Sequence, residues 1–126
     1  MRTALFLLAL LLSGCSGPIY VLLFNNSGVP LVINSGNSSV SIAPSSSETF
    51  AISYVVRTFA IEASGRTLQY KYDTIPGGYY ELHGFGYYRI HLQAQPDFTL
   101  ALVKPKVSLP ASETLAQPDG FPLRPL

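Results

Sequence analysis

Short stretches in which apolar and polar residues alternate place the strongest constraint on the fold of this chain. Between Arg66 and Asp73, the side chains of Leu68, Tyr70 and Tyr72 fall on one face, and polar side chains fall on the other. This period of two belongs to a β-strand, because successive side chains of a strand point to opposite faces of the sheet. The segment therefore predicts a strand with one buried face.

The same alternation recurs along residues 19–103, where turns rich in Gly, Pro, Asn and Ser separate the apolar segments. Short strands at regular spacing, with no helical period between them, are typical of all-β domains. The sequence therefore predicts an all-β fold, a small antiparallel β-sandwich of about eight short strands, with a small closed barrel as the alternative. The predicted strand segments are 19–24, 30–33, 39–43, 48–53, 54–63, 66–73, 87–94 and 98–103.

Within these segments the alternation also predicts which side chains face the core. The segment 19–24 is apolar on both faces, which indicates a central strand covered on two sides or a strand that lies near a membrane. Residues 34–39 are polar and predict a loop. The expected inward side chains elsewhere are Val40, Ile42, Phe50, Ile52, Phe59, Ile61, Tyr88, Ile90 and Leu92, and the expected outward ones include Tyr87, Arg89, His91 and Gln93.

One part of this pattern resembles a known class of fold. Residues 40–50 run Val-Ser-Ile-Ala-Pro-Ser-Ser-Ser-Glu-Thr-Phe, and they follow the turn Asn-Asn-Ser-Gly at 25–28. This rhythm of strand, proline, turn and strand resembles that of immunoglobulin-like and transthyretin-like sandwiches. The resemblance covers about 30 residues and implies a sandwich fold only.

The first residues of the chain have the pattern of a secretory signal peptide. Arg2 supplies a minimal positive region, and residues 3–12 contain nine apolar residues in ten. The small residues Ser13 and Gly14 then precede Cys15, the single cysteine of the sequence. A charged start, an apolar stretch of this length and small residues at its end predict export.

The run Leu12-Ser13-Gly14-Cys15 resembles the lipobox of bacterial lipoproteins. The resemblance implies that the Cys15 thiol carries a diacylglyceryl group and that residues 1–14 are removed as a lipoprotein signal peptide. Residues 15–18 then form the lipid anchor and a short spacer, and the membrane is the first partner. Since Ser16 rather than Asp follows the cysteine, the family's sorting rule implies the outer membrane, facing the periplasm, in a Gram-negative organism.

The sequence leaves two alternatives to lipidation. A transmembrane helix would have to continue from Ala4 to about Phe24, but Gly14, Gly17 and Pro18 interrupt it. An unlipidated cysteine at the new N-terminus is the other alternative. With one cysteine, the domain can form no intrachain disulfide, so its stability depends on the packed core.

The charge of the mature chain excludes one class of partner. Without Arg2, seven basic residues balance seven acidic ones. Nucleic-acid binding requires a cluster of cations that neutralise phosphates, and the sequence contains none. We therefore expect no nucleic-acid partner, and we do not expect attraction to anionic lipid to serve as the anchor.

The sequence offers little for catalysis. The one thiol is assigned to lipid, and no Gly-x-Ser-x-Gly elbow occurs. The histidines His83 and His91, with Glu81 or Asp73, would supply metal-ligand types, but their spacing does not require a metal. We expect no enzyme activity, no cofactor and no metal.

The segment 76–88 is the most unusual part of the domain. Its four glycines allow a close fold, and tyrosine combines an apolar ring with a polar tip, which suits recognition of a glycan, a peptide or a protein. The alternative is a glycine-rich hairpin whose aromatic rings fill the core and shield a sheet edge. The candidate binding residues of this segment and the strand after it are Tyr79, Tyr80, Phe85, Tyr87, Arg89 and His91.

Residues 104–126 differ from the rest of the chain. They hold five prolines and show little alternation, which predicts a Pro-rich, extended and mostly disordered tail, with a docking arm as the alternative. Taken together, the sequence predicts a non-catalytic, lipid-anchored cell-envelope protein with a structural or protein-interaction role and an envelope protein as partner. The alternatives are a glycan- or peptide-binding module that uses the segment 76–88, or an inhibitor of hydrolases.

Overall fold

Two β-sheets packed face to face make up the protein. A computed structural model describes residues 18–53, 55–82, 84, 86–112 and 115–126. In these ranges the chain forms nine strands in two separate sheets, so the predicted sandwich is confirmed over the barrel. The strands are β1 (Ile19–Asn25), β2 (Leu31–Ser35), β3 (Ser38–Ile42), β4 (Ser47–Ile52), β5 (Thr58–Ala63), β6 (Arg66–Lys71), β7 (Glu81–Leu82), β8 (Tyr88–Ala94) and β9 (Leu100–Val103).

The first sheet has the order β4-β1-β8, and both β7 and β9 pair with the far side of β8. The second sheet has the order β3-β2-β5-β6. The alternating inward side chains of both sheets form the core, and the ring of Phe59 lies between those of Phe50 and Tyr70 at centroid distances of 5.8 and 5.6 Å. Leu68, Tyr70 and Tyr72 are buried on one face, as the alternation predicts.

Most of the predicted inward side chains are confirmed. Val40 is partly buried and packs against the core, and Tyr88 is the exception, with an exposed ring. Tyr88 is the first residue of β8 and pairs with Leu82, so it projects beyond the region that the second sheet covers. The others, all buried, are Ile42, Phe50, Ile52, Phe59, Ile61, Ile90 and Leu92.

One strand pair departs from the predicted antiparallel arrangement. β1 and β8 pair in parallel, with Tyr20 opposite Arg89 and Asn25 opposite Ala94. The path of the chain explains the direction: β6 ends opposite Thr58, at the end of the sandwich where β1 begins. Ile75 and Tyr80 of the connection line a cleft with Ile19, so the connection lies at that end, and β8 starts beside β1 and runs the same way. Alternation within a strand carries no information on the direction of its neighbour.

The polar loop predicted for residues 34–39 is instead a tight hairpin. Asn34 pairs with Ser39 and Ser35 with Ser38, around Gly36, whose φ is +60°. A ladder of backbone hydrogen bonds needs no apolar side chains, and glycine adopts a positive φ without strain. The hairpin therefore forms where side-chain polarity alone indicates a loop.

The prediction of a mostly disordered C-terminal tail is wrong for the described residues 104–112 and 115–126. Leu123 exchanges two backbone hydrogen bonds of 2.9 Å with Leu100 on the outer edge of β9, and the Gln117 amide bonds the N–H and C=O of Leu102 on the same edge at 2.7 and 2.9 Å. Ala111 likewise pairs with the Gln93 side chain. The segment has no alternation because it contributes edge contacts rather than a strand, and it protects an edge that would otherwise be free to pair. It also buries Gln93, which faces outward as predicted but is covered.

Candidate functional site

The segment 76–88 begins as a 3₁₀ turn, Gly77–Tyr79, and continues into β7. The N–H groups of Tyr79 and Tyr80 donate to the carbonyls of Pro76 and Gly77 at 3.1 and 3.2 Å. Both tyrosine rings are partly buried and pack against the core, and the Lys104 ammonium lies 5.8 Å from the centroid of the Tyr79 ring. Tyr79 and Tyr80 therefore close one end of the core rather than project as a free binding loop.

Tyr87 and Tyr88, by contrast, are about half exposed, at 49% and 54%. The Tyr87 ring meets that of Tyr20 edge to face at 5.5 Å, and the Tyr88 ring meets that of Tyr80 in the same way at 6.0 Å. Such contacts stabilise aromatic pairs by about 0.5–1.5 kcal/mol beyond burial of their area. The two exposed rings are thus held in place by neighbours, with part of each ring facing out.

A charged cluster lies on the outer face of the first sheet, where Glu81 of β7 is opposite Arg89 of β8. Arg89 Nη2 donates to Glu81 Oε1 at 2.6 Å, and His91 Nε2 lies 3.5 Å from Glu81 Oε2. Neither Arg89 Nε nor His91 Nε2, both buried, has a hydrogen-bond partner among the described residues. The cluster therefore joins the short β7 strand to β8 through one strong ion pair.

The protonation states follow from these contacts. The hydrogen bond from Arg89 holds the pKa of Glu81 below its usual value, so the carboxylate stays charged. Burial lowers the pKa of His91, an effect larger than the opposing attraction of Glu81. At neutral pH the cluster holds the Glu81 carboxylate, the Arg89 guanidinium and a neutral His91 imidazole. The carboxylate and the guanidinium form an ion pair that stabilises the hairpin rather than a free acid and base.

The candidate binding residues predicted from the sequence lie in two separate places in the structure. Tyr79 and Tyr80 pack at the end of the core, while Tyr87, Arg89 and His91 lie along the outer face of the first sheet. Glu81 is the residue that the candidate set missed, and its cross-strand position opposite Arg89 would identify it once the hairpin register was known. Phe85, His83 and Cys15 lie outside the described residues.

A second group of exposed side chains is apolar and is not among the binding residues predicted from the sequence. Val55 and Val56 are 85% and 58% exposed, and Leu82 is 64% exposed. The N–H groups of both valines donate to Ser53 Oγ at 3.1 Å, which fixes the loop backbone and leaves the valine side chains facing out. The sequence predicts one strand over residues 54–63, whereas β5 begins at Thr58 and residues 55–57 form a loop. The alternation of residues does not distinguish this loop from the strand that follows it.

Other features of the described part of the chain bear on chemistry. No group of three or more metal-ligating side chains comes together in it. A cleft of about 200 Å³ opens beside Ile19, Arg57, Tyr72, Ile75 and Tyr80, next to the start of β1. No helix within the described ranges combines the length and apolar character needed to cross a membrane.

Comparison of the chain with protein-family models, with curated proteins and with solved structures found no match.

Proposed function

We propose that the protein is a non-catalytic envelope lipoprotein, anchored through Cys15 in the outer membrane of a Gram-negative cell and facing the periplasm. In this proposal the sandwich serves a structural or protein-interaction role at the membrane surface. One observation carries the proposal: β1 begins at Ile19, directly after the short spacer, and lies between β4 and β8. The strand nearest the lipobox is thus a central strand of the fold.

This arrangement couples the anchor to the core. Three residues, Ser16 to Pro18, separate Cys15 from β1, and three extended residues span about 10 Å. A domain joined so closely to a lipid stays beside the bilayer and does not sample a large volume. Such a geometry suits a protein whose position at the membrane is part of its role.

The outer face of the first sheet is the surface that best fits a protein partner. Tyr20, Leu22 and Phe24 of β1 form a partly exposed apolar row on this face, because the alternate residues of β1 point into the core. The charged cluster of Glu81, Arg89 and His91 flanks the row. A partly apolar centre with a polar border is the common anatomy of a protein interface.

Two measurements on the protein from native membranes test the proposal. The mass of the N-terminal peptide should show Cys15 as the first residue, carrying lipid; an unmodified thiol would contradict the anchor. A photo-crosslinking amino acid at Leu22 should give a discrete adduct with another envelope protein, whereas one at Ser41, on the outer face of the second sheet, should not. Absence of an adduct from Leu22 in intact envelopes would contradict the interaction role.

A further inference from the structure

We infer that the end of the sandwich from which the N-terminal segment leaves is itself a membrane-contacting surface, whose apolar side chains enter the lipid interface. We call this surface the apolar end. The inference deepens the proposed function and rests on the lipid anchor at Cys15. The apolar end comprises Val55, Val56, Leu82, Tyr87 and Tyr88.

Strand direction brings these side chains to one end. Ile19 at the start of β1 pairs with Ile52 at the end of β4, so the loop that carries Val55 and Val56 follows directly beside it. On the other side of β1, Tyr20 pairs with Arg89, so Tyr87, directly before β8, and Tyr88, its first residue, lie at the same end. Neighbouring strands lie about 4.8 Å apart. Pro18 therefore leaves the sheet between two groups of exposed apolar side chains.

The exposure is concentrated at this end. Among the described residues, seven large apolar side chains are exposed, and five of them belong to the apolar end; the other two are Val107 and Leu126. Side chains exposed singly are common on soluble proteins, whereas a group around one point marks a contact surface. The Val55 and Val56 loop is also tied to the core, because Tyr72 Oη donates to Ser53 O at 2.9 Å. The valines are thus presented on a fixed support.

The residue types fit a lipid interface. Tyrosine is enriched at the level of the lipid headgroups, where its ring and its hydroxyl are both accommodated. The exposed cations Arg57, Lys71 and Lys104 lie near this end, and their long side chains can keep the charge in the headgroup region. Two acids also lie near this end: the partly exposed Glu81, which is paired with Arg89, and the exposed Asp73, which lies beside Arg57.

The short spacer between Cys15 and β1 indicates that the apolar end contacts lipid rather than a folded partner. Cys15 precedes Pro18 by three residues, which reach about 10 Å. This is about the thickness of one layer of packed sheet, so a folded partner would not fit between the apolar end and a bilayer that holds the Cys15 lipid. The bilayer is therefore the surface that the apolar end meets. Contact at two points, lipid and side chains, would also fix the orientation of the domain, which a single acyl anchor does not.

The chain has no tryptophan, which allows a direct test on the full lipidated protein. Val56→Trp places a single reporter at the apolar end, and Arg66→Trp places the matched control at the β5–β6 turn, the opposite end of β5. Each protein is reconstituted in vesicles of neutral phospholipid with brominated acyl chains. We expect emission from position 56 to be shifted to the blue and quenched, and emission from position 66 to be unaffected.

The outcomes separate the two proposals. Equal quenching at the two positions, or none at either in protein that remains with the vesicles, overturns the inference but leaves the anchor intact. Protein that leaves the vesicles and carries a free Cys15 thiol overturns the proposed function instead. Protection of the reporter at position 56 by a soluble glycan or peptide, with no quenching by lipid, also overturns the inference.

A second variant keeps the test valid if tryptophan disturbs the loop. Val55→Ser with Val56→Ser removes both apolar side chains but keeps the Ser53 hydrogen bonds, which involve only the valine N–H groups. In a Tyr88→Trp background, we expect these two changes to reduce quenching by lipid about threefold or more. Unchanged quenching would show that the valines do not contact lipid.

Discussion

The two ends of the sandwich use different chemistry. At the end of β1 that lies farther from Pro18, the turns are rich in Asn, Ser, Pro and Gly, and none of the exposed large apolar side chains of the described residues is there. At the apolar end, the β2–β3 hairpin around Gly36 is polar as well, but Val55 and Leu82 are largely exposed although nothing in the fold requires it. The polar end is explained by the needs of folding alone, whereas the apolar end carries a surface that folding does not account for.

Asn25 shows how the polar end is built. Its side chain is fully buried and makes four hydrogen bonds: Nδ2 donates to Val29 O and Ile42 O at 2.7 and 3.1 Å, and Oδ1 accepts from the N–H and hydroxyl of Ser27 at 3.0 and 2.6 Å. Every donor of the amide is used. This one residue therefore closes the turn after β1 and joins it to the end of β3.

The largest effect should come from breaking this polar end. Asn25→Ala removes four hydrogen bonds and leaves the buried Ile42 carbonyl and the Ser27 N–H without their side-chain partner, and we expect the free energy of unfolding to fall by about 3 kcal/mol. Denaturant unfolding measures the change. The matched control Asn37→Ala, at an exposed turn position, should change it by less than about 0.5 kcal/mol. Equal effects of the two changes would contradict the role given to Asn25.

The second prediction concerns the C-terminal segment, which covers the β9 edge between the two ends. Gln117→Ala removes both hydrogen bonds to Leu102, and we expect a loss of about 1–2 kcal/mol together with faster proteolysis after Lys104. Gln69→Ala is the control, because Gln69 is exposed on β6 and offers its backbone carbonyl, not its side chain, to Leu126. Unchanged proteolysis in the Gln117 variant would show that the segment is held by other contacts.

The third prediction uses pH to weaken the charged cluster of Glu81, Arg89 and His91. The pKa of His91 is lowered by burial and that of Glu81 by its Arg89 hydrogen bond, so the unfolded chain binds more protons than the folded one as the pH falls. The contribution of His91 is present above its unfolded pKa near 6.5 and is lost as the pH falls below it. That of Glu81 is present above its unfolded pKa and is lost at more acidic pH.

Unfolding measured between pH 7.5 and 3 should therefore show stability falling with acid, and His91→Gln and Glu81→Gln should each remove part of this fall. The hydrogen bonds from Thr99 hold the pKa of Asp97 below its usual value, so a part of the fall at acidic pH should remain in both variants. The Asn25 turn contains no titratable group, so Asn25→Ala should lower the curve without changing its shape. A pH dependence that His91→Gln leaves intact would contradict the assignment.

The smallest effect on stability should come from the apolar end. Val55→Ser with Val56→Ser removes side chains that are exposed in the folded protein, so we expect the free energy of unfolding to change by no more than about 0.5 kcal/mol. A loss comparable to that of Asn25→Ala would show that the valines pack within the domain. A small loss of stability together with reduced contact with lipid would show that the two valines serve the membrane surface and not the folding of the domain.

Particular elements show what the sequence could predict. Alternation correctly predicts the buried face of β6 and the inward pairs of β4 and β5, because burial on one face of a strand gives the sequence a period of two. This period does not indicate which strands pair. The parallel contact of β1 with β8, and with it the contact of Tyr20 with Tyr87, depends on the route of the chain between sheets.

The candidate site was predictable to a similar extent. Tyr87, Arg89 and His91 were expected on one outward face and lie there, because they share the alternation of β8. Glu81 joins them only through the register of a two-residue strand. For the C-terminal segment the sequence wrongly predicts a free tail, because side-chain amides such as Gln93 and Gln117 replace strand pairing there and leave no periodic pattern.

The central claim is that the apolar end is the membrane-facing end, and the most direct test is the distance of every backbone amide from the bilayer. Isotope-labelled, lipidated protein in nanodiscs that contain a paramagnetic headgroup lipid would report this by NMR line broadening. We predict the strongest broadening at Val56, Leu82 and Tyr88, and the weakest at Ser27, Ser45 and Gly65. Uniform broadening, or the reverse gradient, would contradict the account.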